Sequence, residues 1–294
     1  MPAALLVLIA AVCFGTTGTA QALGPDGIDP LAVGAGRILI GAVLLVAYAR
    51  HTAPSAQAPA ASRRTLLVAG AFVAIYQLAF FAAVRETGVA VGTVVALGSG
   101  PVFAGLIDRV VTGAPLHRRW AAATGLAVGG VTLLAGGGGG TEVIPLGVGL
   151  ALLSGLGYAS YTVAAKQLLD AGQAPERVMA QLFTVGAVLL VPVLALTGGG
   201  GLGSLGGLAT VLYLGTIPTA VAYVLFARGL RRLSPGETST LTLAEPLTAT
   251  ALGIVVLSEP FAPTTAVGAA LVLGGIVLLA LQPKGRRGAF PATA

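Results

Sequence analysis

Runs of about twenty apolar residues follow one another from Ala3 to Ala280, broken only by short Gly, Pro or Arg punctuation. That is the length of helix needed to cross a hydrocarbon core of ~30 Å. One such run would leave room for a soluble domain; a nearly continuous series does not. Of the 294 residues, 56% are hydrophobic and only 9% charged, whereas a soluble domain carries about a quarter charged residues to cover its surface. The outside must therefore be apolar as well as the inside. The expected fold class is an all-α integral membrane protein whose solvent is the lipid bilayer.

Ten transmembrane helices read at roughly 3–23, 30–49, 65–84, 88–108, 119–136, 145–166, 177–197, 207–228, 236–257 and 263–282, with ends good to about four residues. Gly24-Pro25-Asp26-Gly27 separates the first two, and Pro30 suits a first helical turn. Gly136 to Gly140 and Gly198 to Gly201 are permissive connectors. Neither is a phosphate cradle, because no Lys-Ser/Thr pair follows at the required spacing. No basic stretch precedes the first apolar run, so a retained helix is expected there rather than a cleaved signal. The single Cys13 excludes an intrachain disulfide and a cysteine metal cluster. No cofactor or metal is expected.

With the N-terminus placed in the cytoplasm, all the Lys and Arg residues except Arg37 and Arg85 fall in or beside cytoplasmic loops. The opposite loops carry Asp26, Asp29, Glu86, Glu142 and Glu259. This is the positive-inside pattern and predicts that both termini are cytoplasmic. The net charge of +6 is thus dispersed as topology signals. It lacks the aromatic interleaving that base stacking needs, so no nucleic-acid partner is expected.

Shifting the sequence against itself by 145 residues, which lays Pro246 on Pro101, exposes a duplication. Gly41-Ala42-Val43-Leu44-Leu45-Val46 recurs as Gly186 to Val191. From Thr93 to Ala135 the shift holds without a gap, matching Thr93/Thr238, Pro115/Pro260 and Gly129-Gly130/Gly274-Gly275. The halves read as residues 1–138 and 139–294. Each contains five spans, an odd number, so the two must insert with opposite orientation. Inverted repeats place a substrate site near the midplane, where the halves meet, and alternating access uses that symmetry directly.

The duplication, the ten spans, Arg37 in the second, Pro101 and Pro246 in the fourth and ninth, and Leu257-Ser258-Glu259-Pro260 before the tenth resemble the drug/metabolite transporter superfamily, EamA type. Within it the chain is most similar to YddG-like amino-acid exporters. The resemblance implies an inner-membrane exporter of small metabolites, with an amino acid as the favoured substrate. A Gly-Glu pair often ends the fourth and ninth spans in that family; the first half here has Gly113-Ala114, without the acid.

The residues themselves nominate a site. Pro101 and Pro246 each lack an N–H and free the carbonyl four residues back, that of Leu97 or Thr242. Gly98-Ser99-Gly100 is expected to deepen the first break. Irregular backbone at this depth lines a cavity or is covered by neighbours, the alternative being a packing kink. Glu245 is the carboxylate set deep in a span, with Thr238, Thr242 and Thr248 near its face. Facing lipid would be costly, so it attracts a substrate amine, carries a proton, pairs with Arg37 or stays protonated and bonds a freed carbonyl. Arg37 snorkels, locks two helices or receives a carboxylate. Tyr76, Tyr158, Tyr161 and Tyr223 fall inside spans three, six and eight rather than only at interfaces. Buried phenols need partners, and inward-facing ones suit an amphipathic or aromatic ligand; packing is the alternative. Thr17 in span one, with Thr16 and Thr19, adds hydroxyls. Gly88/Gly92 and Gly125/Gly129 imply close helix approach and say nothing about dimers; oligomeric state is left open.

Competing functions fare less well. Both histidines, His51 and His117, lie in loops, and no HExxH or paired membrane aspartates exist, so an intramembrane enzyme is not expected. A passive channel would show a symmetric ring or filter. An ATP-driven pump needs a nucleotide motif that is missing. Phosphorylated substrates would call for several basic residues at the site. The expected partner is a small molecule: an amino acid, or a neutral-to-cationic metabolite or drug.

Overall fold

The structure, a computed structural model, describes residues 1–52, 62–113, 115–135, 144–258 and 262–280. The Gly136–Gly140 connector, Glu142, Glu259, Pro260 and the C-terminal Lys284, Arg286 and Arg287 lie outside the described residues.

The described residues form ten helical spans. The first two are α1 (Ala3–Ala22) and α2 (Pro30–Thr52). A continuous run over Arg63–Thr112 divides at Gly88, whose φ of 80° and ψ of 161° belong to no helix. It yields α3 (Arg63–Gly88) and α4 (Val91–Thr112). Then come α5 (Arg118–Ala135), α6 (Pro145–Asp170), α7 (Pro175–Leu196), α8 (Leu205–Leu230), α9 (Pro235–Val256) and α10 (Pro263–Ala280). Eight of these, all but α5 and α10, are individually long and apolar enough to cross a membrane. Pro30, Pro145, Pro175, Pro235 and Pro263 each open a helix, where a missing N–H costs nothing. Asp29 caps α2 by accepting from Leu31 N at 2.7 Å and Ala32 N at 3.1 Å. Ser234 and Glu237 close a reciprocal capping box on α9. The outer surface is apolar, with Val110 85%, Leu196 88% and Val255 80% exposed, as a chain solvated by lipid requires.

The duplication is visible in the packing. A methyl added at Gly130 of α5 would meet the Gly268 carbonyl at 2.6 Å and Val272 of α10. One added at Gly275 of α10 would meet the Ala123 carbonyl at 2.6 Å and Ala127 of α5. The two contacts map onto each other by the same 145-residue shift (268 on 123, 272 on 127). Their neighbours Gly129 and Gly274 face open space. Likewise Gly70 of α3 packs on Val185 of α7, and Gly215 of α8 packs on Ile40 of α2. The fold is two inverted five-helix repeats.

One element breaks the equivalence. In α8 a π-helical segment spans Thr216–Val221 around Pro218, and the Thr219 hydroxyl donates to the Leu214 carbonyl at 2.8 Å. Within it the register changes by one residue. Gly41 of α2 meets Thr219 and Gly186 of α7 meets Val73, which are 146 apart (219 − 73). The π turn has inserted one residue into α8 relative to α3.

Candidate functional site

Tyr158 and Tyr161 stand three apart on α6, so both rings leave one helix face. Small residues let neighbouring helices come close: Gly157 of α6 lies against Tyr76 and Phe72 of α3, and Gly100 of α4 lies against the Tyr158 ring. Tyr223 arrives from α8 just past the π segment. Ring centroids are 5.5 Å apart for Tyr76 and Tyr161, 5.4 Å for Tyr158 and Tyr161, and 6.3 Å for Tyr161 and Tyr223, tilted or edge-on as aromatic quadrupoles prefer. Phe14 of α1 and Phe183 of α7 close on Tyr223 at 5.0 and 4.2 Å, and Phe226 of α8 lies 5.9 Å from it. The cluster therefore joins elements of both repeats.

Its hydroxyls form a small network. Tyr161 donates to the Tyr223 oxygen at 3.2 Å, and the Tyr76 and Tyr223 hydroxyls lie 3.1 Å apart. Three phenols carry three O–H hydrogens and share two hydrogen bonds, so one O–H is left over for another acceptor. The Thr242 hydroxyl donates to the Ser239 carbonyl at 2.8 Å, so its one hydrogen is committed. Tyr158, 3.2 Å away, must be the donor to Thr242.

Opposite charges flank the phenols. Arg37 Nη2 donates to Gln77 Oε1 at 2.9 Å, joining α2 to α3. A guanidinium only donates, so this bond turns the Gln77 amide nitrogen away from it. Arg37 Nε and Gln77 Nε2 are then buried donors without acceptors. Such a group costs about 1–3 kcal/mol, so two on one hydrogen-bonded pair call for an explanation. Glu245 of α9 is part-buried. It acts electrostatically on Tyr158 and is acted on by Arg37, which also acts on Tyr223. The direct Arg37–Glu245 ion pair entertained from sequence is not formed: Arg37 bonds Gln77 instead.

Two surface cavities lie at opposite ends of the helices. On the face that carries Met1, a cavity of about 350 Å³ is lined by Met1, Leu6, Glu176, Arg228 and Arg231 among others. Counting down from Leu6 to Phe14, from Glu176 to Phe183 and from Arg231 to Tyr223 gives about 10–12 Å along three helices. The same aromatic group lies beneath all three. Arg228 pairs with Glu176 at 2.6 Å and donates to the Tyr48 hydroxyl at 3.0 Å, tying α8 to α7 and α2 at that mouth. On the other face a cavity of about 220 Å³ is lined by Gln21, Asp26, Pro30, Val33 and Thr210 among others. Arg37 stands one turn deeper than Val33 on α2.

The remaining sequence candidates distribute as follows. Ser99 donates to the Ala96 carbonyl at 3.2 Å and sits against Gly155 of α6. Leu97 packs in a second apolar cluster with Trp120 and Val128, and Gly98 also faces Val128, so these two turn toward α5 rather than the phenols. Thr17 is half-buried, and its neighbour Thr16 accepts from Tyr213 at 3.0 Å. Pro101 and Pro246 are both buried, but they act differently on their helices. The expected break at Pro101 is absent: α4 runs helically from Val91 to Thr112, because proline's fixed φ is itself helical and only one hydrogen bond is lost. Before Pro246 the helix does break, at Thr242 and Leu243, and Glu245 N donates to the Thr242 carbonyl at 2.9 Å. Sequence reasoning passed over Gln77, Phe14, Phe183 and Phe226. An amide in mid-span was a readable signal for Gln77; the phenylalanines carry none beyond their apolar runs.

Among the described residues no three His, Cys, Asp or Glu side chains converge as a metal site would require. The arrangement is suited to holding a guest by hydrogen bonds, charge and aromatic contact.

Comparison with known proteins agrees. A solved crystal structure superposes with a TM-score of 0.81 at 20% identity, covering 94% of this chain and 95% of the other, which establishes the fold. An uncharacterized transporter of Bacillus subtilis (strain 168), YwfM, is 38% identical over 290 residues, 98% of this chain and 97% of its own. A probable terminal-alkyne amino-acid exporter of Streptantibioticus cattleyicolor is 28% identical over 188 residues, 64% of this chain and 63% of its own. The EamA-like transporter family matches twice, over residues 1–136 and 145–281. With its ten spans in two inverted halves and each half matching separately, the chain belongs to the EamA-like transporter family.

Proposed function

We propose that the protein is a secondary exporter of amino acids with aromatic or amphipathic side chains, working by alternating access in a bacterial-type cytoplasmic membrane with both termini cytoplasmic. The observation that carries this reading is the phenol cluster of Tyr76, Tyr161 and Tyr223, contributed by both repeats and left with one O–H over. It offers π-faces to an apolar side chain and a hydrogen bond to a polar one. The surface cavities at the two ends of the helices support access from either face. The halves, divided near residue 138, rock against each other about this centre. The amino-acid exporter of S. cattleyicolor supports the substrate class.

The test is counterflow in proteoliposomes with labelled phenylalanine, leucine and methionine. Uptake driven by internal unlabelled substrate is the expected result, with phenylalanine preferred. No counterflow of any of the three sinks the amino-acid reading. A second reading, efflux of cationic metabolites or drugs, is favoured by the Glu245 carboxylate. Ethidium counterflow that amino acids do not inhibit would install it instead.

A further inference from the structure

We infer that the site reads both ends of a zwitterion, the Arg37–Gln77 pair taking the carboxylate and Glu245 the ammonium of an α-amino acid. The inference rests on the amino-acid reading above and adds which groups recognise which end.

The site's unmet needs carry it. Gln77 is 2% exposed, yet its Nε2 has no acceptor, and Arg37 Nε, on the side chain it hydrogen-bonds, has none either. The Arg37–Gln77 hydrogen bond fixes the amide so that it offers donors, not its oxygen, to anything that arrives. Two N–H donors from two helices, one of them charged, make a fork for a carboxylate. The leftover phenol O–H of the tyrosine trio adds a third donor nearby. Across the cluster the need is reversed. Among the described residues Glu245 makes no direct ion pair with Arg37, and its backbone lies against Gly15 of α1, next to Phe14 of the cluster. Opposite charges in an apolar interior draw together unless their helices hold them apart; α2 and α9 do so here. The guest that satisfies both sides bears an anion and a cation. A phosphate would want more than one guanidinium, and a simple amine would leave the Arg37–Gln77 donors as orphaned as before.

The experiment uses Gln77→Glu and Gln77→Leu in the full chain, with phenylalanine counterflow competed by phenethylamine, which lacks the carboxylate, and by 3-phenylpropionate, which lacks the amine. In Gln77→Glu the new carboxylate occupies the fork itself and pairs with Arg37. Phenylalanine affinity should fall at least tenfold and 3-phenylpropionate competition should vanish, while phenethylamine binding changes less than twofold. Gln77→Leu should weaken phenylalanine in the same direction, and Gln77→Glu keeps the result decisive if the leucine variant fails to fold. Glu245→Gln should show the converse pattern, losing phenethylamine and keeping 3-phenylpropionate. Equal weakening of phenylalanine and phenethylamine in Gln77→Glu, or unchanged phenylalanine affinity, overturns the inference while the wild-type counterflow leaves the amino-acid reading standing. A wild type that moves no amino acid removes both.

Discussion

Tyr223 is the residue on which the site turns, because two other phenols meet its oxygen. Tyr223→Phe keeps the ring against Phe14 and Phe183 and removes only that oxygen. Stability should fall by about 1 kcal/mol, the net worth of a hydrogen bond or two, while substrate affinity falls several-fold. Thermal melts in detergent beside counterflow kinetics separate the two effects; a loss of melting temperature with unchanged KM would assign Tyr223 to packing. At this scale the sequence was legible where a polar group sat against its surroundings. Four tyrosines inside spans, one arginine and one carboxylate stood out for that reason. Gln77 met the same criterion and was passed over beside its neighbour Tyr76. Leu97 and Gly98 were nominated through a proline whose effect on its helix could not be read without the neighbours. Proton coupling through Glu245 is testable on its own: Glu245→Gln that still exchanges substrate but ignores a pH gradient identifies the proton carrier.

At the scale of elements, the repeat gave the helices their partners. The Gly-Gly pairs of α5 and α10 are identical in sequence, yet only one member of each faces the other helix. Gly130→Val and Gly275→Val should each cost about 1–3 kcal/mol by forcing the pair apart. Gly129→Val and Gly274→Val, whose methyls enter open space, should melt within error of the parent. Equal losses at all four would deny the close approach. The π turn of α8 was not legible, since Pro218 reads equally as a kink. Its consequence is local and definite. With the extra residue counted, Tyr223 occupies in the second half the place of Gln77 in the first (223 − 146). One position of the repeat thus carries an amide on one side and a phenol on the other, the asymmetry that the proposed zwitterion site needs.

At the scale of the whole molecule, the long apolar runs, the loop charges and the odd number of spans per repeat were enough to read a ten-helix inverted fold. What closes at each mouth depends on contacts between residues far apart in the chain and was invisible. Orientation is checked by single-cysteine labelling in a Cys13→Ser background. Position 118 should label only from the cytoplasm and position 26 only from outside; the reverse pattern inverts the assignment.

The Arg228–Glu176 pair has no twin. The shifted positions hold Leu31 in place of Glu176 and, with the π residue counted, Ala82 in place of Arg228. A carrier built from true mirror halves would idle equally in its two poses. Among the described residues this one has an inter-helix clasp on the Met1 side alone, with Arg228 40% and Glu176 10% exposed, worth about 1 kcal/mol. On the proposed alternating-access mechanism, a clasp that breaks in the other pose biases the empty protein roughly fivefold toward the pose that holds it. Ligand arriving from the Met1 side then meets the receptive pose only part of the time, and its apparent affinity weakens in proportion. Glu176→Gln should strengthen apparent affinity from that side about fivefold, and an unchanged value would show that the pair does not set the balance of poses.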